Sequence, residues 1–598
     1  MRGRLRAALA MAVGTAVVAS LSVTSSLAAW TDREYVRAAN VSTLNCASAA
    51  PVNSTSWARV MADSVLTSNL DAVAALNGIT VSNIKPATSS SATGVASPTP
   101  LGSDAWSSPV DLSAVSVPVS AGVTYPIGAS TGAYTQYGRD TSAGLSVGAS
   151  GAVTSGSGGA VALETPGAAT PREADLALSS TLNGILPAAG TTVANLADVH
   201  LRVGAVGALA SYNSCAVLWA GSSALAGNLT RNYLVNGMKL EFTSQVVKDL
   251  GTSINGQLTT LQTTLNALTG SGSSVTGSTL TGLKGAVNGL TGLVTTSGVS
   301  IIPPTLSTAT VSVNYNLTPV KNLLSTTVGG GGVTANLTTG AVTADLATIF
   351  GDRYGTSGLN GLSPNTSVLT PEVLSDVSSR LGTVLGALVG SSGTLATALT
   401  AALNAATVTV VLQGSMDLRL GLITLLGFPY TATISGTVGS FAGAGTQPTV
   451  SVAVQAGTGL LDTVLATLGI TSATLLQQVG DALVTPLINS VYPLLKPIVA
   501  TLISTAPTLA AGTVSNLGTV TVPSALVNLA PVLTILRTLV SVTVNARPDQ
   551  PNPVGYPATA ATGRYFVSAL KVGVVNATST PVVGLFLASA SVGPNTVR

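Results

Sequence analysis

The chain has 598 residues, with 24 Lys and Arg against 21 Asp and Glu, and only 8% of its residues are charged. Against a usual ~25%, that excludes a surface built on ion pairs, and the lack of clustered cations excludes nucleic-acid binding by phosphate neutralisation. Leu, Val and Ile spread evenly along the chain exclude disorder and give enough apolar mass for about two to four domains.

The N-terminus reads as an export signal. Arg2, Arg4 and Arg6 precede an apolar run from Ala7 to Leu21, and small residues follow up to Ala28 and Ala29. This is the order of a secretory signal peptide spanning residues 1–28. Cleavage after Ala28 places Ser26 and Ala28 at the small-residue positions, and cleavage after Ala29 is the next choice. The arginines are not paired, which favours the general secretory route, and the apolar run is short of the ~20 residues of a membrane span. The three arginines leave with the signal and no acid does, so the exported chain is formally neutral.

Residues 29–245 read as an N-terminal β-rich region. A helical spacing runs from Trp57 to Leu66, and residues 86–108 read as loop. Strands are expected at 199–210, 216–220 and 233–242. Between Val147 and Leu163 glycines interrupt the alternation, a pattern of bulges or close sheet packing. Residues 246–300 read as a helical hairpin, with Leu250, Ile254, Leu258, Leu261 and Leu265 on one stripe and Leu283, Val287 and Leu290 on another. Residues 301–458 form a central β-rich region with one helix, which starts at Thr370-Pro371-Glu372: an N-cap, a proline at N1 and an acid at the positive end of the dipole. Residues 459–536 read as helical, with a short strand at 519–522. The apolar stretch from Leu483 to Ile503 contains Pro486, Pro493, Lys496 and Pro497, so it reads as kinked helices buried in the protein rather than a membrane span. Residues 537–598 supply closing strands at 540–546, 565–575 and 582–592. The fold class expected is α+β: β-rich, sandwich-like antiparallel sheets with inserted amphipathic helices.

Candidate chemistry is sparse. Cys46 and Cys215 in an exported chain point to one disulfide, the alternative being two buried thiols. The single histidine, His200, sits on an alternating strand, where a satisfied structural residue is the commoner reading. No histidine-rich or cysteine-rich zinc spacing and no calcium loop appears, so no metal and no cofactor are expected. The pattern G-x-S-x-G occurs at 128–132 and 144–148, but in strand surroundings rather than at a strand-to-helix elbow. Gly329 to Gly332 lacks the Lys-Ser/Thr ending of a phosphate loop and reads as a turn. Glu164, Glu173, Asp175, Asp345 and Asp352 are the acids from which a paired-carboxylate site would be drawn. Trp57, Trp106 and Trp219 are the candidates for a glycan-stacking platform, with buried packing the blander account.

Four stretches, in order, resemble the choice-of-anchor G family of Gram-positive, especially actinobacterial, surface proteins. They are Ala29-Trp30-Thr31-Asp32-Arg33-Glu34-Tyr35-Val36; Gln136-Tyr137 with Ala149-Ser150-Gly151-Ala152-Val153; Val342 to Ala347 with Leu359-Asn360-Gly361-Leu362-Ser363-Pro364-Asn365-Thr366; and Val592-Gly593-Pro594-Asn595. The resemblance implies a surface-exposed protein and brings no catalytic residues. After Asn595 only Thr596, Val597 and Arg598 follow, with no LPxTG motif and no apolar span. A non-enzymatic structural or adhesive protein is therefore expected, extracellular and either secreted or held non-covalently at the cell surface. Its partner class is a cell-wall or other extracellular polymer.

Overall fold

The computed structural model describes residues 52–597 except 66–75, 111–122, 125–133, 156–160, 164–172, 179–195, 222–223, 270–272, 275–276, 292, 295–298, 303, 421–422, 444, 456–470, 558–564 and 576–580. The export signal with Ala28 and Ala29, the segment around Cys46, Glu164 and the first G-x-S-x-G match lie outside the described residues.

The principal elements in the first half are β1 (Val52–Val65), β2 (Ile79–Asn83), β3 (Ala105–Val110), β4 (Tyr134–Asp140), β5 (Leu145–Gly151), β6 (Ala174–Ala177), β7 (Leu196–Asn213), α1 (Ser214–Ala220), β8 (Leu229–Ser244), α2 (Gln245–Thr269) and α3 (Gly277–Asn288). Then come β9 (Thr305–Asn314), β10 (Thr327–Gly330), β11 (Val333–Asn336), β12 (Ala341–Asp345), α4 (Leu346–Tyr354), α5 (Pro371–Val389), α6 (Thr394–Ala405), β13 (Thr407–Leu420), β14 (Ile423–Thr437) and β15 (Thr449–Val454). A long broken helix, α7 (Ser472–Leu539), leads into β16 (Val540–Ala546), β17 (Tyr565–Val575), β18 (Pro581–Val592) and β19 (Thr596–Val597).

Three antiparallel sheets carry these strands, so the α+β, β-rich class is the observed one. Sheet one runs β16-β17-β18-β1-β2, with β19 beside the start of β1. Sheet two runs β10-β11-β12-β8-β7-β5-β4-β3, with β6 beside β7. In sheet three β13 lies between β9 and β14, and β15 follows β14. Sheets one and two pack face to face. The helices form a further layer, in which α7 packs against α2, α5 and α6. Most buried apolar residues form one contiguous cluster that joins the sheets to the helices.

The sandwich seam is narrow. A Cβ on Gly148 of β5 would lie 2.7 Å from the Trp57 carbonyl oxygen and 2.9 Å from that of Ser591. One on Gly151, whose φ is +89°, would lie 2.9 Å from the Ala588 Cβ. The glycines inside these strands therefore mark close sheet packing.

The helical stripes behave as their spacing requires. Leu250, Ile254, Leu258, Leu261 and Leu265 of α2 are all buried. The Thr370 side chain accepts from the Val373 amide and caps α5, with Pro371 in its first turn.

Four expectations are corrected. Residues 57–65 belong to a strand, not a helix. β1 lies between β18 and β2, and from Ser56 to Ala62 every residue is buried, so both faces are covered and the period-two signal is erased. Residues 216–220 are helical, because the Asn213 side chain accepts from the Ala216 amide and turns the chain after β7. The expected strand at 519–522 is part of α7, whose Leu517–Thr521 segment is a π-turn. The 483–503 stretch is not buried all round. It belongs to one 68-residue helix that buries a single stripe, including Leu483, Leu487, Val491, Leu495 and Val499, and leaves Leu494 exposed. Prolines at 486 and 497 are absorbed beside a second π-turn, Leu487–Val491. By length and composition alone, α7 and the stretch Pro371–Ala405 would pass as membrane spans.

Gly148→Val is expected to overpack the seam and to lower stability by about 3 kcal/mol or more. Gly256→Ala, at an exposed helical glycine with nothing within 4 Å of its added Cβ, is expected to raise it by about 0.5–1 kcal/mol. Urea midpoints measured side by side check both.

Candidate functional site

Charge in this chain is rare enough that a local concentration of it stands out. Strand register brings Asp175 of β6 opposite Arg202 of β7, Arg202 opposite Lys239 of β8, and Lys239 opposite Asp345 of β12. One rung along, His200 lies opposite Glu241. Period-two alternation puts all of these on one face of sheet two. His200 Nδ1 is 2.8 Å from Asp175 Oδ1. Arg202 Nε donates to Glu241 Oε2 at 2.6 Å, with its Nη1 3.8 Å from Asp175 Oδ2. The bond to Glu241 raises the Arg202 pKa above its ordinary value. Lys239 Nζ donates to Glu173 Oε1 at 2.6 Å.

The ladder thus brings two of the five candidate acids, Asp175 and Glu173, onto the face that carries the histidine. Asp345 is diverted, because its carboxylate caps α4 by accepting from the Thr348 amide and hydroxyl. Asp352 pairs with Arg380 elsewhere. Chemically, the ladder offers a His–Asp pair able to pass a proton and two carboxylates already committed to Arg202. Among the described residues no group of three or more His, Cys, Asp and Glu is placed to hold a metal.

The other candidates serve packing. Ser146, centre of the second G-x-S-x-G match, is a fully buried residue on β5, not a nucleophile at an elbow. Gly331 and Gly332 take positive φ and turn β10 into β11, and Arg380 donates to the Gly331 carbonyl at 2.7 Å. Trp57 is buried with Phe566, Phe586 and Tyr556 around it, and Trp106 Nε1 donates to Ser90 Oγ at 3.2 Å. Trp219 lies on α1, with its side chain outside the described set. Cys215 is buried near the start of α1.

Two polar clusters were not legible as sites. The first is a clip made from the Leu359–Thr366 block. Asn360 exchanges two hydrogen bonds with the backbone of Val235, at 2.8 and 3.0 Å. Tyr233 Oη donates to the Leu359 carbonyl and accepts from the Leu362 amide. Asn365 donates to the carbonyls of Arg547 and Pro551 and accepts from the Arg547 amide at 2.7 Å. Arg547 reaches the Arg231 carbonyl, and Arg231 pairs with Asp549. Burial, with Arg231 alongside, pulls the Arg547 pKa down to about 10. The clip ties sheet two to sheet one.

The second cluster lies in the sandwich seam. Asp140, at the end of β4, is fully buried and accepts from the Ser56 hydroxyl at 2.6 Å. Burial pushes its carboxyl up to about 8, against the opposing pull of the Ser56, Ser146 and Ser54 hydroxyls. Asn83 stands directly across from Ser54, and neither its side-chain oxygen nor its nitrogen has a hydrogen-bond partner. Alternating polar residues such as Gln136, Asp140, Ser146 and Ser150 read as a solvent face in sequence, yet all four are buried. Only the adjacent glycines hint that a second sheet covers them.

The class defined by this geometry is a two-sheet antiparallel sandwich with an attached third sheet and a helical layer. The family model for a domain of unknown function, DUF8394, matches residues 56–593, and the chain belongs to that family. No curated protein and no solved structure matches it.

Asn365→Ala is expected to cost about 2–4 kcal/mol, since it strands three backbone groups and places alanine at a φ of +60°. Asn365→Gly is expected to recover roughly 1 kcal/mol of that, the backbone share. Denaturant titration of the three proteins separates the two contributions.

Proposed function

We propose that the chain is exported and works outside the cytoplasm as a non-enzymatic structural or adhesive protein of a Gram-positive bacterium. Its resemblance to choice-of-anchor G proteins implies a surface-exposed protein. The observation that carries the export half is the order of Arg2 to Arg6, the apolar run and the small residues ending at Ala28 and Ala29. The structural half is supported by where the polar side chains go: the clip and the seam spend them on holding sheets together. A Cys46–Cys215 disulfide belongs to this reading, and so does a neutral extracellular polymer as partner, since a chain so poor in charge has little with which to select an ionic one.

A second reading, a carboxylate-dependent glycan-acting enzyme or glycan-binding module, is favoured by one observation, the ladder of Asp175, His200, Arg202 and Glu241. If it is right, Asp175→Asn and Glu241→Gln abolish release of sugar from wall polysaccharide by the purified protein.

Fractionation of the source bacterium is expected to find the protein in the medium or wall fraction, with its mature N-terminus at Ala29 or Trp30. Recovery mainly from the cytosol, with Met1 retained, would refute export. Intact mass before and after reduction is expected to differ by two hydrogens, and reduction to cost about 2–4 kcal/mol of stability.

A further inference from the structure

The seam holds a second device, at the point where the Gly593–Val597 hook meets Asp140. Asn595 Oδ1 accepts from the Thr55 amide at 3.1 Å, and its Nδ2 donates to Ser146 Oγ at 3.1 Å. The Gly593 amide donates to the Thr55 carbonyl, and β19 pairs with β1 at Val52 and Asn53 only. Ser146 and Thr55's neighbours Ser54 and Ser56 are the same residues that surround the Asp140 carboxyl. The hook is therefore bonded to the residues that surround the buried acid, and its outer residues Thr596 and Val597 are exposed.

Among the described residues no cation pairs with Asp140. β1 presents Ser54 and Ser56, β2 presents Asn83, β5 presents Ser146 and the hook presents Asn595. The charged and titratable groups on these elements are engaged elsewhere. Lys85 Nζ donates to the Ser142 carbonyl at 2.9 Å and Arg139 pairs with Asp104 at 3.2 Å. Arg59 and Tyr137 alternate to the opposite faces of β1 and β4. A carboxylate buried among hydroxyls alone costs several kcal/mol, so the folded state keeps the acid neutral or lets water in.

We propose that Asp140 is a proton-operated latch: its neutral carboxyl keeps the Gly593–Val597 hook seated, and its ionisation lifts the hook so that water can reach the charge. The hook is the element that opens at least cost, since a two-residue bridge and the bonds of Asn595 and Gly593 hold it. Ionisation also competes for the hydroxyl hydrogen of Ser146, which can otherwise reach Asn595 Oδ1 at 3.5 Å.

The sign follows from the two states. Unfolded or opened, Asp140 ionises near its ordinary 3.8; seated, it holds its proton to about 8. Closure is therefore fully favoured below the first value and weakens as pH rises to the second. Above it, nothing further is lost.

Hydrogen exchange by mass spectrometry on the full chain tests this at about pH 6 and about pH 9, corrected for intrinsic rates. Peptides covering 52–58 and 589–597 are expected to lose about tenfold or more of their protection between the two, whereas β17 keeps its own. Asp140→Asn, which still accepts from Ser56 but cannot ionise, is expected to abolish the change. Asn595→Ala is expected to leave the hook open at both pH values. Equal protection of the hook at both pH values in the parent protein would overturn the proposal. So would an unchanged loss in Asp140→Asn, or a loss shared equally by β17.

Discussion

The distance between sheets one and two governs the rest of the structure. Where backbone oxygens of Trp57 and Ser591 stand under 3 Å from the place a Gly148 side chain would take, only glycine fits, and small residues such as Ser56, Ala58, Ser150 and Ala588 line the rest of that contact. Small residues bury little apolar area each, and area is what burial rewards, at about 25 cal/mol per Å². Serines in a closed seam must also find partners inside it. Ser150 does so by donating across the seam to the Ser589 carbonyl, while within sheet one Ser568 donates to the Leu587 carbonyl and Ser589 to Ser568. The sandwich thus holds itself by hydrogen bonds and close backbone contact. Most of the large aliphatic side chains lie where the sheets meet the helices, to which α2, α5 and α7 contribute rows of Leu and Val.

The same sheet explains why the family match runs almost from one end of the described chain to the other. β1 pairs with β18 through the middle of sheet one, from Ser56 opposite Val592 to Val65 opposite Gly584. Neither strand can be an edge without the other, so no shorter piece completes the sheet. The Thr55–Asn595 bond closes a separation of 540 residues. Contacts at that range form late, because the closure entropy comes before any reward. A chain built this way keeps sheet one incomplete until β18 is available to pair with β1.

Much of the fold was legible in the sequence because simple periods survive where one face of an element is buried. The α2 stripe, the Thr370 cap and the closing strands are of this kind. The failures share a cause. β1 is covered on both faces, so its apolar residues fell by chance into a helical spacing. Thr519 to Val522 is β-branched and reads as strand, yet tertiary packing keeps it within α7. The candidate site was legible in part: Glu173, Asp175 and His200 were singled out, but their convergence with Arg202 and Glu241 depends on the register of three strands, which no local signal sets. Asp140 was not legible at all, since a polar residue on an alternating strand announces solvent unless a second sheet covers it.

Threonine shows how the chain manages with so little charge. On α2, Thr252, Thr259, Thr260, Thr263 and Thr264 each donate to the carbonyl four residues back. Such bonds weaken a helix slightly, and threonine is a poor helix former besides. The loss is tolerable because the opposite stripe is buried, and tertiary packing, not propensity, supplies most helical stability. In return the helix shows water a polar surface with Lys248 and Asp249 as its only charges. α7 follows the same rule, carrying only Asp481, Lys496 and Arg537 as charges along 68 residues. Screening acts on charges, so a surface wetted by hydroxyls is nearly indifferent to salt.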